Sequence, residues 1–135
     1  MKQLLFLIIL LAGKLSYADG LDEMRIYVNQ KLVATSYEGA SKVVELEVSV
    51  GDTLKFEIWT DWGGMENSSI SVFDYQSSEK VAELARVPNR KYEANFFQVI
   101  HPGMINSELQ YVYNFSPAVN RTWKFARIVL KPKTE

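Results

Sequence analysis

The seven residues Asp61-Trp62-Gly63-Gly64-Met65-Glu66-Asn67 hold the densest set of reactive and recognising groups in this chain. Asp61, Glu66 and Asn67 offer hard oxygen donors on a pliable Gly-Gly loop, which is what a calcium ion requires. Their spacing fits no standard calcium loop, and solvated loop acids are the plainer alternative. Calcium is nevertheless the only cofactor these residues suggest. Just upstream, Leu54, Phe56 and Ile58 alternate with Lys55, Glu57 and Trp59, so parity places Trp59 on the polar side of a strand. With Trp62 and Asp61 in the adjoining loop, Trp59 forms a candidate ligand-binding set. Indole rings of this kind stack on the apolar faces of sugars or anchor a protein partner. A one-residue slip in register would instead turn Trp59 into a core.

Catalytic inventory is thin. The chain has no cysteine, hence no thiolate nucleophile and no cysteine-based metal site. Its single histidine, His101, stands directly before Pro102-Gly103, a strong loop signal, and no Gly-x-Ser-x-Gly elbow accompanies it. Two carboxylates could in principle hydrolyse a glycosidic bond, given the right gap between them. Sequence does not set that gap, and a small compact domain leaves little room for a cleft. A non-catalytic role is the expectation, with a small carboxylate-based hydrolase as an alternative.

The first eighteen residues decide where the rest would work. Met1-Lys2-Gln3 carries one positive charge, Leu4 to Ala12 is unbroken apolar, and Ser16-Tyr17-Ala18 offers small residues for cleavage. That is the layout of a secretory signal peptide over residues 1–18, and the apolar run is short for a membrane span. Leu11-Ala12-Gly13 would precede the lipidated cysteine of a bacterial lipoprotein, but Lys14 follows, so no thioether-linked lipid anchor can form. A secreted or periplasmic domain over residues 19–135 is expected. Removing the leader takes away Lys2 and Lys14 and no acid. The remaining 117 residues carry 13 basic and 16 acidic side chains, a net charge of −3. That balance argues against a nucleic-acid partner, which needs clustered Lys and Arg, and against an anionic membrane surface. Asn67, Asn114 and Asn120 each open an Asn-x-Ser/Thr acceptor pattern.

Period-two alternation dominates the segments that must position these groups. Met24, Ile26 and Val28 share a face, as do Val44, Leu46 and Val48; Tyr92, Ala94 and Phe96; and Leu109, Tyr111, Tyr113 and Phe115. Asn29-Gln30, Gly51-Asp52 and Gln76 to Ser78 read as turns. Ser78 to Arg86 also carries helical spacing, yet a strand pairing with Ile70 to Phe73 is preferred. Trp123 to Lys131 is apolar on both faces, which implies an interior strand or a bulge, with Trp123 in the core. About eight short strands and no convincing helix predict an all-β fold. Two antiparallel sheets packed face to face, as one sandwich of immunoglobulin-like or jelly-roll type, would bury these faces. The stretch Val48-Ser49-Val50-Gly51-Asp52-Thr53-Leu54-Lys55-Phe56 resembles a hairpin of extracellular β-sandwich modules, copper-binding electron carriers among them. The missing cysteine and second histidine exclude blue copper. The chemistry and the address together predict a binding or interaction module with a protein or polysaccharide ligand. An inhibitor of an exported hydrolase and a structural subunit of a surface assembly are the related alternatives.

Overall fold

Alternating sequence becomes alternating burial. The computed structural model describes residues 22–60, 67–88, 93–117 and 120–134. Within them the chain forms ten strands: β1 (Glu23–Val28), β2 (Lys31–Tyr37), β3 (Lys42–Val48), β4 (Thr53–Trp59), β5 (Ser69–Asp74), β6 (Lys80–Ala85), β7 (Val87–Pro88), β8 (Glu93–Val99), β9 (Glu108–Asn114) and β10 (Thr122–Pro132). A single short 3-10 turn, Pro102–Met104, precedes β9. The first sheet runs β2-β1-β4-β8-β7 and the second β3-β10-β9-β5-β6. This is an all-β two-sheet sandwich. The two-residue β7 is announced by no alternation and takes the strand count past the eight or so expected.

Three details follow from local chemistry. Lys80 to Ala85 is a strand despite its helical spacing, because antiparallel pairing with β5 gives Leu84 a place over the core opposite Ile70. The β3–β10 pair is parallel, so the sheets are not wholly antiparallel as expected. A parallel pair needs a long connection between its strands, and most of the chain lies between these two. β10 is both interior and bulged: it sits between β3 and β9, and its register shifts between Lys124 and Ala126. The bulge lets both Phe125 and Ala126 face inward, which accounts for a strand that is apolar on both faces.

The core fills the space between the sheets. Met24, Ile26, Leu54, Phe56, Ile58 and Phe96 come from the first sheet, and Ile70, Val72, Tyr111, Phe125, Ile128 and Leu130 from the second. Phe56 lies at the centre, with ring centroids 4.8 Å from Tyr111 and 5.6 Å from Phe125. Burial pushes the Tyr111 hydroxyl far above the usual tyrosine range, and it donates to Gln98 Oε1 at 2.7 Å. Trp123 belongs to this core, as its sequence position suggested, and its Nε1 donates to the Ala40 carbonyl at 2.8 Å.

The β1–β2 hairpin turns on Asn29 (φ 47°) and Gln30 (φ 72°), both left-handed, as a two-residue type I′ turn demands. Asn29 tolerates that conformation, whereas Gln30 bears the Cβ penalty. Gln30→Gly should therefore raise stability by about 0.5–1 kcal/mol, after the entropy cost of glycine in the unfolded chain. A thermal melt checks this, and a lowered midpoint would contradict it. The neighbouring β3–β4 turn is tied to the same hairpin. Asp52 accepts the Ser49 N–H at 2.9 Å and the Asn29 Nδ2 at 3.0 Å, and these bonds hold its carboxyl below the usual range.

Candidate functional site

The outer face of the first sheet is a ruled grid. Cross-strand registers set Glu23, Trp59 and Glu93 in one row, Arg25, Glu57 and Asn95 in the next, and Tyr27, Lys55 and Phe97 in a third. Each row takes one residue from β1, one from β4 and one from β8. The inward partners of these nine residues are the core side chains described above, so their outward direction follows from strand parity. Trp59 stands where its sequence parity put it, beside Lys55 and Glu57, and it is half-buried.

Glu57 is the hub of the grid. Only 6% exposed, it accepts Trp59 Nε1 at 2.7 Å on Oε1 and faces Lys55 Nζ at 3.1 Å on Oε2; Tyr27 OH lies at 3.5 Å. Desolvation pushes its carboxyl up. The hydrogen bonds from Lys55 and Trp59, with the charges of Lys55 and Arg25, outweigh that and hold it below the usual glutamate range. The cations also cover rings: Arg25 Cζ is 5.4 Å from the Trp59 centroid and Lys55 Nζ is 5.1 Å from that of Tyr27. Arg25 is oriented by Glu23, with Nε to Oε1 at 2.9 Å, and this bond raises the guanidinium above its already high value. Aromatic and charged side chains thus lock one another in place.

Two further polar residues lie sheltered on this face. Glu93 and Asn95 are 6% and 7% exposed, and Asn95 Oδ1 has no hydrogen-bond partner among the described residues. Around the grid stand large apolar side chains open to solvent. Leu32 and Tyr37 lie on the β2 side, and Val87, Phe97 and Val99 on the β8 and β7 side. They are five of the nine exposed large hydrophobic residues among the described residues.

The remaining sequence candidates separate. Asp61, Trp62 and Glu66 lie outside the described residues. Asn67 is an exposed turn residue with φ 64° at the entry to β5. Among the described residues no three His, Cys, Asp or Glu side chains converge as a metal set would. His101 is exposed at the start of the 3-10 turn. Asn114, in one acceptor pattern, spends its Nδ2 on Ser69 and Ser71 hydroxyls at 3.1 and 2.7 Å, whereas Asn67 and Asn120 are exposed. Sequence reasoning named Trp59 and put Lys55 and Glu57 beside it without giving them a role, and it missed Arg25, Tyr27, Glu93 and Asn95 as its companions. The missing signal was strand order: once β1, β4 and β8 are known to be neighbours, parity alone assembles the grid.

No protein family, no curated protein and no solved structure matches this chain.

Proposed function

We propose that this chain is an exported, non-catalytic binding module that docks a protein partner on the outer face of its first sheet. The observation that carries the reading is the composition of that face: a fixed Trp-Arg-Tyr cluster ringed by exposed Leu32, Tyr37, Val87, Phe97 and Val99. Tryptophan, tyrosine and arginine dominate binding hot spots, and rigid side chains lose little entropy on association. Large exposed apolar side chains on both flanks of one sheet face otherwise have a solubility cost. The apolar run of Leu4 to Ala12 with its Ser-Tyr-Ala ending supports export. The non-catalytic part of the reading rests on the chain's inventory: it has no cysteine, and its single histidine, His101, is exposed directly before Pro102-Gly103.

A polysaccharide ligand is the second reading, favoured by Asn95 Oδ1, which has no hydrogen-bond partner among the described residues, beside the Glu57 and Glu93 acceptors, which suit a hydroxyl-rich chain. An inhibitor of an exported hydrolase is the case in which the docked protein is an enzyme.

The test compares affinity capture from the native extracellular or envelope fraction by the wild type and two variants. Phe97→Glu alters the proposed face, and Val43→Glu alters an exposed position on the other sheet. A protein retained by wild type and Val43→Glu but lost with Phe97→Glu is the expected result. Equal capture by all three sinks the docking face. A panel of neutral glycans followed by tryptophan fluorescence addresses the second reading, with Trp59→Ala abolishing any response.

A further inference from the structure

The bulge in β10 has a consequence on the opposite side of the molecule. Lys124 and Arg127 are three residues apart, so simple alternation would send them to opposite faces. The register shift places Lys124 opposite Val112 and Arg127 opposite Gln110, both on the outer face of the second sheet. The bulge is held open by Gln110, whose Nε2 donates to the Ala126 carbonyl at 2.9 Å. Arg121, Lys124, Arg127 and Lys131 consequently follow one another along a single strand and its entry.

Three of these cations already have a carboxylate: Arg121 pairs with Glu38, Arg127 with Glu108 at 3.0 Å, and Lys131 with Glu45. Lys124 is the exception, with no acidic partner among the described residues. It also lies where two depressions meet. One, of about 580 Å³, is bounded by the Glu38 to Ser41 loop and by Arg121, Thr122 and Trp123. The other, of about 300 Å³, is lined by Phe73, Asp74, Tyr75, Ser78, Gln110 and Val112, and the Asp74 carboxylate there is turned to its own loop, accepting from the Gln76 and Ser77 backbone N–H groups at 3.0 and 2.9 Å. Both volumes fall in the range of small-ligand sites. Tyr75 is a presented ring, stacked 4.4 Å below the Arg127 guanidinium and 44% exposed.

We propose that this trough binds an anionic oligosaccharide, with Lys124 meeting a ring carboxylate or sulfate. Tyr75 stacks on the apolar face of one sugar, and Ser41, Thr122 and Gln110 hydrogen-bond to hydroxyls. The reasons are an ammonium with no acidic partner among the described residues, set between two depressions, and the mixture of an aromatic platform with neutral polar groups. Inorganic anions would need only the charge. A protein partner would call for the apolar surface that the other sheet supplies. This site is independent of the docking face and stands or falls without it.

The experiment is isothermal titration of the purified protein with three probes: a trigalacturonate, a neutral trisaccharide and inorganic sulfate. Chemical-shift mapping accompanies the trigalacturonate titration. Saturable binding of trigalacturonate alone is expected, with shifts at Lys124, Gln110 and the Trp123 indole, which is hydrogen-bonded at the floor of the larger depression. Lys124→Gln should weaken that binding about tenfold, the size of one lost charge contact. Val50→Ala, at an exposed position of the β3–β4 turn, should leave it unchanged. Equal binding of the neutral sugar, equal binding of sulfate, an unaffected Lys124→Gln variant, or no saturable response at millimolar concentration each overturns the proposal.

Discussion

Phe56→Ala is expected to lower stability by about 3–5 kcal/mol, the usual cost of truncating a buried phenylalanine. Phe56 is fully buried and is the ring through which the two sheets meet, packed on Tyr111 and Phe125 of the opposite sheet. Removing it takes away apolar burial and two ring contacts, and the cavity lies between two sheets whose spacing is fixed by ten strands. Small relaxation is therefore available. Against a total of about 5–15 kcal/mol for a domain, the loss lowers the thermal midpoint by roughly 10–20 °C. Phe97→Ala supplies the control. Phe97 pairs across to Lys55 on the outer face and is 44% exposed, so its truncation should change stability by less than about 1 kcal/mol. Urea unfolding of both variants measures the difference. Similar losses from the two would mean that strand parity has been misassigned.

That pair of residues also shows what the sequence makes legible. Adjacent phenylalanines Phe96 and Phe97 have the same composition and propensity, and only alternation tells them apart. Parity was enough to send Leu54, Phe56, Ile58, Ala94 and Phe96 inward and Trp59 outward, because a half-buried sheet enforces a period of two. It was also enough to mark β10 as interior or bulged. Strand order was not legible, since nothing in Arg25, Glu57 and Asn95 announces that their strands are neighbours. Register shifts could not be placed at a residue for a related reason: a bulge changes the period by one residue without changing the residue types. That is why Lys124 and Arg127 read as opposite-facing in sequence and share a face in the fold. The parallel β3–β10 pair escaped for want of any local signal, because its partners come from distant parts of the chain.

Glu57→Gln tests whether the grid on the first sheet is a fixed assembly or a chance adjacency, and about 2 kcal/mol of stability should be lost at pH 7. The neutral amide keeps the shape of the side chain but gives up the ionic contact with Lys55 and weakens the bond from Trp59 Nε1. Hydrogen bonds to a charged group contribute about 1.5–3 kcal/mol each, more than neutral ones. The pH dependence separates charge from shape. The carboxyl is held below its ordinary value of 4.5 in the folded protein, so the unfolded chain takes up the proton first as pH falls. Its contribution is complete above that value and is lost as pH drops through the lower folded value. Wild type and variant should therefore differ most near neutral pH and converge in strong acid. Asp52 and Glu83, whose carboxyls are held low by hydrogen bonds elsewhere in the fold, titrate in both proteins and cancel in the comparison. Urea midpoints at pH 7 and pH 3 give the two differences. A gap that persists unchanged at pH 3 would assign the loss to altered packing around Trp59 and Tyr27 and remove the charge from the account. Convergence would mean that the ionised Glu57 carboxylate fixes the Trp59 ring, the preorganisation on which the proposed docking face depends.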